Sequence, residues 1–402
     1  MRVWIVNPFD NLPLEGNRPQ RYWLMSRAFV RAGHEVTFWT SDFSHSRKAK
    51  RVFPPAIVAE LAAESETADT WHVEGFRLVA VATPSYRRNI CLARLLSHRV
   101  LARRWTHRVA AEAVPDVVIA SSPPLGLCAS ARNYCAARNV PLVVDIMDAW
   151  PETFERVVPK FLLAPLARVA RANYCGASAI SVVADRYREL AESAGATAPT
   201  RRFYHGIERG PAPARKPRAE GGRFTLVYAG NMGASYDLET LIAAVKREND
   251  VELELAGSGP KENILRAAAG DCPRIHFHGY LDEPSLRALL ARADAAVVPM
   301  FPDSCVGVPY KLADYAAAGL PILNSLEGET ASLIAEFQAG ESYRAGEVPA
   351  LTDALHRLRG NDMAAMRRGA SELAGRFDAD VVYGDYVQWI CSVVETTKGK
   401  SP

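Results

Sequence analysis

Cys305-Val-Gly-Val-Pro-Tyr-Lys-Leu-Ala-Asp-Tyr-Ala-Ala-Ala-Gly-Leu-Pro-Ile-Leu323 holds a short helix between a glycine-bearing loop and a following apolar run. Pro309 suits the first helical turn, Gly319 the C-terminal stop and Pro321 the position just beyond, which predicts about two turns of helix. Lys311 and Asp314 stand three residues apart and share one face. On a solvated helix such a pair contributes about 0.3–0.5 kcal/mol and carries no further meaning. Ala313, Ala316, Ala317 and Ala318 make the surroundings small and apolar, which fits a helix lining a crevice better than one facing water.

Working outward, the same alternation of apolar runs and helix-length segments recurs on both sides. After the stretch Glu208–Gly222, rich in Pro, Gly and charge and free of periodicity, come Phe224–Ala229, a helical pattern through Leu238, Leu241 and Val245, and Val251–Ala256. Apolar runs at Arg274–His278 and Ala295–Pro299 follow, each preceded by a helix. Before the break, runs lie at Val3–Val6, Glu35–Thr40, Phe76–Val81, Asp116–Ala120, Pro141–Asp145 and Ala179–Val183. Alternation of this kind predicts parallel sheets covered on both faces, and 402 residues exceed one comfortable core. The expectation is therefore two doubly wound α/β domains, residues 1–207 and 223–376, joined by a linker at 208–222, with ligands at the carboxyl ends of the strands in the crevice between them. Three runs in the second half end in turns: Tyr228-Ala-Gly-Asn-Met-Gly233, Leu255-Ala-Gly-Ser-Gly-Pro260 and Val297-Val-Pro-Met300. None matches a dinucleotide fingerprint or a Walker loop, and a single such turn more often serves backbone geometry. Three on one edge point to a nucleotide-sized ligand, with backbone amides around Gly230, Asn231 and Gly257 receiving phosphate. Asp314 then accepts two ribose hydroxyls, while Lys311 and the amides of Val306, Gly307 and Val308 face the phosphates.

Composition excludes several alternatives. A charged fraction of 23% and a hydrophobic fraction of 49% are those of a folded globular chain rather than a disordered one. A net charge of +3 does not by itself call for nucleic acid. The seven cysteines are scattered, without a C-x-x-C pair, so neither a zinc site nor a disulfide framework is indicated, and a reducing, cytoplasmic setting is expected. The apolar run at the N-terminus is too short for a signal peptide, and no segment is long enough to span a bilayer.

Pro309-Tyr-Lys-Leu-Ala-Asp-Tyr-Ala-Ala-Ala-Gly-Leu-Pro321 resembles the donor-site helix of the retaining family 4 glycosyltransferases of GT-B fold, and within them the bacterial subgroup that builds cell-surface polysaccharides. Arg21–Thr40 is similar to that family's first helix and following strand, Tyr228–Leu241 to its first donor-domain turn, and His278-Gly-Tyr-Leu281 to its base-binding loop. The resemblance implies two Rossmann-like domains facing across a cleft. It also implies a C-terminal segment at 377–402 that crosses back onto the first domain, and a nucleotide base bound near Gly279 and Tyr280. The ribose-binding glutamate of the family falls on Asp314, and the glutamate two turns earlier falls on Val306. The Arg and Lys that many relatives place after the first donor-domain strand fall on Asn231 and Tyr236. Phosphate charge is then left to Lys311, helix N-termini and the Gly16-Asn17-Arg18 turn of the first domain.

In the first half, Asp145-Ile-Met-Asp-Ala-Trp-Pro-Glu152 is similar to an Asp-x-Trp-Pro segment of the same subgroup, and Asp145, Asp148 and Glu152 are expected at the crevice edge. Asp148 and Glu152 are the candidate catalytic acids; helix capping is an equal reading for each. His34 reads as a structural histidine near the end of the first helix, and His205 as a loop residue before the linker. Transfer of this type needs no cofactor, and no Asp-x-Asp cluster offers a divalent metal two close carboxylates. Between Tyr86 and Val109, Arg87, Arg88, Arg94, Arg99, Arg103, Arg104 and Arg108 interleave with leucines and Trp105 without an intervening acid. Arginine on one face and Leu with Trp on the other predict a helix lying on the cytoplasmic face of the inner membrane, with a plain amphipathic helix packed on the sheet as the alternative. RNA is the weaker reading because a stacking platform of aromatic residues is missing. The partners expected are a nucleotide-sugar donor, a polyprenyl-diphosphate-linked acceptor and the membrane surface, with no nucleic acid. The rivals are a nucleotide-sugar epimerase of the same fold and a non-catalytic nucleotide-sugar-binding scaffold.

Overall fold

The computed structural model describes residues 1–54, 57, 65–67, 69–155, 157–210 and 221–399. The described chain divides into two compact units, Met1–Gly206 with Ala379–Pro402, and Ile207–Asp378. Of the linker expected at 208–222, residues 211–220 lie outside the described residues.

The first unit carries a nine-stranded sheet. Its strands lie in the order Thr200–Arg202, Ala179–Val182, Leu142–Ile146, Val117–Ser122, Arg2–Val6, Glu35–Ser41, Phe76–Val81, Thr70–Val73, Ser65–Thr67. The first seven pair in parallel, and the last two add antiparallel at one edge. Val117–Ser122 and Leu142–Ile146 are buried along their whole length, as continuous apolar runs covered on both faces must be. The helix Ala379–Lys398 packs on Arg21–Arg31, and its Tyr383, Tyr386 and Ile390 join the core of this unit.

The second unit is a six-stranded, wholly parallel sheet. Its order is Ile275–Gly279, Val251–Ala256, Phe224–Ala229, Ala295–Val298, Ile322–Asn324, Gly340–Ser342. Asp237 and Asp282 cap the helices that follow them through the amides of Thr240 and Ser285. The quoted helix runs Tyr310–Ala317; Pro309 sits one residue earlier than expected, in extended backbone just before the first turn. Gly319 has φ of +62°, and its amide returns to the Ala316 carbonyl, which ends the helix.

The arginine-rich segment departs from its expected role. In the helix Leu92–Val109, Leu101 and Trp105 are buried, and Trp105 packs edge-on against Trp4 and Trp39 of the sheet. Arg94 is also buried, at 7% exposure. The Trp face predicted to meet a membrane is therefore part of the core. Arg103 and Arg104 remain exposed along the helix, and at its N-terminal end Ile90, Leu92 at 83% exposure and Leu96 stand among exposed Arg87, Arg88 and Arg99. Among the described residues, no helix is long and apolar enough to cross a membrane.

Candidate functional site

In the second unit, Phe224–Ala229 has Val251–Ala256 on one side and Ala295–Val298 on the other, so the crossovers diverge around it. Such a switch point opens a crevice at the carboxyl ends of the strands. The loops there are locked to one another. The amide of Gly230 donates to the Ala256 carbonyl at 3.0 Å, that of Met232 to Ser258 at 2.9 Å, and that of Gly257 to Gly279 at 2.6 Å. A Cβ on Gly257 would stand 2.0 Å from the Gly230 carbonyl oxygen, so only glycine fits this crossing. The amides of Gly230 and Gly257, expected to receive phosphate, are thus already used in holding the loops together. Their contribution is to bring backbone close, while Asn231 lies exposed between them and its carbonyl accepts the Tyr228 hydroxyl.

Lys311 is the side chain this crevice is built around. It is 7% exposed, its Nζ donates to the Tyr228 hydroxyl at 3.1 Å, and it lies over the rings of Tyr236 and Tyr228 at 3.8 and 4.2 Å from their centroids. A Cβ on Gly230 would come within 3.2 Å of the same Nζ. Among the described residues, Lys311 makes no ion pair with a carboxylate. Burial therefore holds its ammonium well below the usual lysine range, and the Asp314 carboxylate only partly opposes that shift. Asp314, one turn on, is half-buried. Tyr315 ties the helix to the strand end: its hydroxyl accepts the Ala229 amide at 2.8 Å. The amides of Gly307 and Val308, both buried just ahead of the helix, donate to no acceptor among the described residues. The Val306 amide reaches only the Ser304 hydroxyl, at 3.4 Å. Gly279, with φ of +66°, leads into Tyr280, which is 77% exposed.

Sequence reasoning brought Lys311, Asp314 and the Gly307–Val308 loop to one place. It missed the aromatic enclosure of Tyr228, Tyr236 and Tyr315. In sequence Tyr236 marks only a position where relatives carry a basic residue, and the signal for the enclosure is the recurrence of tyrosine at the elements that border the lysine.

The acids of the first unit separate into two kinds. Asp145, expected at a crevice edge, is wholly buried and bound by Arg21 Nε and Nη2, both at 2.8 Å, by the Tyr22 hydroxyl at 2.7 Å and by Ser181 at 2.6 Å. It belongs to the core. His205, read as a loop residue, is buried in the same region, and desolvation pushes its pKa down to about 3. Asp148 accepts the Ala149 amide at 2.9 Å and the Thr153 hydroxyl at 3.2 Å, which is a capping geometry; burial raises its pKa. Glu152, half-buried, is also raised by burial, and its Oε2 has no hydrogen-bond partner among the described residues. Gly16 takes φ of +77° to close a tight turn, Asn17 Nδ2 donates to the Leu12 carbonyl at 3.1 Å, and Arg18 lies near His205. Among the described residues, no group of three or more His, Cys, Asp or Glu is placed to hold a metal ion.

Residues 20–205 match the family model described as glycosyl transferase 4-like domain, and residues 223–361 match that described as glycosyl transferases group 1. The chain is 32% identical over 196 residues to a glycogen synthase of Mycobacterium tuberculosis, covering 44% of this chain and 45% of that protein. It is 30% identical over 152 residues to a phosphatidyl-myo-inositol mannosyltransferase of Mycobacterium leprae, covering 37% and 40%. The matches thus span less than half the length of these relatives. Among solved structures, a sucrose-phosphate synthase from Thermosynechococcus elongatus superposes with a TM-score of 0.74 at 14% identity, over 98% of this chain and 99% of that one. The Anabaena protein HepE in complex with UDP gives a TM-score of 0.66 at 14% identity, over 97% and 99%. At these identities the likeness establishes the GT-B fold.

Proposed function

We propose, from the premise that both units of this chain are glycosyltransferase domains, that the protein moves a sugar from a nucleoside-diphosphate sugar onto a saccharide acceptor, with retention and without a metal. The observation that carries the reading is Lys311, a buried cation without a carboxylate partner at the switch point of the second unit. A buried charge left unpaired costs several kcal/mol in order of magnitude, and a diphosphate is the ligand that removes the cost. Asp314 takes the ribose hydroxyls, the Gly307 and Val308 amides take phosphate oxygens, and exposed Tyr280 stacks on the base. HepE, of the same fold, carries UDP, which supports a nucleoside diphosphate as the donor handle.

In the chemical step the bond between the anomeric carbon and the diphosphate oxygen breaks while the acceptor oxygen bonds to the same face of that carbon. The acceptor's proton passes to the departing diphosphate, whose growing charge Lys311 stabilises. Asp148 and Glu152, raised by burial, act on the acceptor side: Asp148 shapes the Thr153 turn, and Glu152 offers an unengaged carboxylate oxygen to an acceptor hydroxyl. Exposed Ile90, Leu92 and Leu96 amid arginines favour an acceptor held at an anionic membrane, such as a polyprenyl-diphosphate-linked glycan in cell-surface polysaccharide synthesis.

Incubating the protein with labelled nucleotide sugars and lipid-linked acceptors tests the reading. Release of the nucleoside diphosphate only when acceptor is present supports transfer. Consumption of donor alone, giving an isomeric sugar, contradicts it, as does failure of every nucleotide sugar to bind.

A further inference from the structure

Several basic residues of the first unit are each paired with a carboxylate. Arg21 has Asp145, Arg51 has Glu15, Lys50 has Asp42 and Arg77 has Glu112. A buried group around Tyr86 is arranged differently. Around the ring of buried Tyr86, Lys48 Nζ lies 5.2 Å from the centroid, Arg94 Cζ 5.8 Å, the His45 ring 5.8 Å and the His98 ring 6.1 Å. Their polar contacts are to neutral groups: Lys48 Nζ to Asn89 Oδ1 at 2.5 Å and to the His45 ring, His45 Nδ1 to the Tyr86 hydroxyl at 2.5 Å, Arg94 Nη1 to the Asn89 carbonyl at 2.8 Å. Among the described residues, none of the four makes an ion pair with an acid. Asp148 is the acid whose charge reaches Arg94, and its Oδ1 is already engaged by Ala149 and Thr153.

Arg94 and His98 are each 7% exposed, yet Arg94 Nε and His98 Nε2 have no hydrogen-bond partner among the described residues. Unengaged polar atoms at this depth suit the oxygens of a ligand. Phe9, Tyr86 and Trp150 line the same place: Arg94 sits 4.5 Å over Trp150, and the His98 ring lies 5.6 Å from Phe9 and 6.1 Å from Trp150. Aromatic faces beside fixed cations suit a sugar ring that bears a negative group. The elements supplying these residues all leave the carboxyl ends of parallel strands, Phe9 after Arg2–Val6, His45 after Glu35–Ser41, Tyr86 after Phe76–Val81 and Trp150 after Leu142–Ile146.

The geometry points to an oxyanion subsite in the first unit, formed by Lys48, Arg94, His45 and His98 around Tyr86, that binds a phosphate or carboxylate carried by a saccharide. That this saccharide is the transfer acceptor rests on the proposed function; the subsite itself does not. Burial and mutual repulsion support it: desolvation first, then the Arg94 charge, push His45 and His98 down to about 3, and desolvation lowers Lys48 to about 8. An oxyanion reverses the sign of that local field.

The test uses full-length protein carrying Lys311→Met, which removes the proposed phosphate contact of the second unit, so that failure of the donor reading cannot be confused with failure of this one. Glucose 1-phosphate, pyrophosphate, glucuronate and glucose are titrated calorimetrically into it, with and without Arg94→Met, and separately with Lys48→Met, a half-buried residue whose loss leaves the core intact. Melting temperatures are recorded for each. The expected result is binding of the phosphate or the carboxylate sugar but not of glucose, weakened about ten- to a hundredfold by either substitution. Preference between glucose 1-phosphate and glucuronate then identifies the oxyanion. Equal binding of glucose, no binding of any anion, or affinity unchanged in both Arg94→Met and Lys48→Met overturns the proposal.

Discussion

Arg21 in the first unit and Lys311 in the second are both buried cations, and they differ in what surrounds them. Arg21 is clasped on two edges by Asp145, with Tyr22 and Ser181 completing the carboxylate and the Phe203 and Tyr204 carbonyls filling its third nitrogen. Lys311 has two aromatic faces, one phenol oxygen and a carboxylate a turn away. Fully satisfied burial makes Arg21 a part of the fold: it ties a helix near the chain start to a strand 124 residues later. Burial without a paired carboxylate is what marks Lys311 as the proposed donor contact. Cation–π contact contributes about 0.5–2 kcal/mol per ring, less than desolvation removes, and the balance is available to a ligand.

Removing Asp145 should have the largest effect. Asp145→Asn leaves a buried guanidinium without its counter-charge, and a loss of about 3–5 kcal/mol in urea unfolding is expected; a loss below about 1 kcal/mol would erase the distinction between the two cations. Lys311→Met should behave oppositely. Its folding stability is expected to equal or exceed that of the unsubstituted protein, while affinity for nucleoside diphosphates falls about ten- to a hundredfold. A variant that unfolds in step with Asp145→Asn breaks the comparison. Asp314→Ala should weaken nucleotide binding about tenfold with little change in melting temperature, and undiminished affinity removes the proposed ribose contact.

The smallest effect is in pH. In the unfolded chain Lys311 keeps its proton up to the ordinary lysine range, and in the folded protein only to a lower pH. Between those limits the unfolded state binds more protons, so this residue's destabilisation is absent above the unfolded value and grows as pH falls. The stability advantage of Lys311→Met should therefore shrink as pH rises, which paired urea titrations at neutral and alkaline pH would measure.

Strands flanked by turn residues were legible because buried parallel strands write continuous apolar runs: Phe76–Val81, Phe224–Ala229 and Val251–Ala256 fall where the pattern puts them. Thr200–Arg202, Ile322–Asn324 and Gly340–Ser342 were not, since strands of three residues near a sheet edge carry no period. Lys311 and Asp314 could be read from spacing on one helix. The rings around Lys311, the pairing of Arg21 with Asp145 and the inward turn of Trp105 depend on neighbours far along the chain, which local patterning does not encode. The arginines near Trp105 suggested a membrane face because sequence shows a helix's two sides but not which one the sheet covers.

The central claim, that Lys311 waits uncompensated for a diphosphate, is tested most directly by proton linkage. The tightest binder among UDP, GDP, ADP and dTDP is titrated calorimetrically at mildly alkaline pH in two buffers of different ionisation enthalpy. Binding should draw a proton from the buffer, because phosphate charge restores the lysine's affinity for it, and Lys311→Met should abolish both that uptake and most of the affinity. Identical affinity and identical proton uptake in the two proteins would contradict the account.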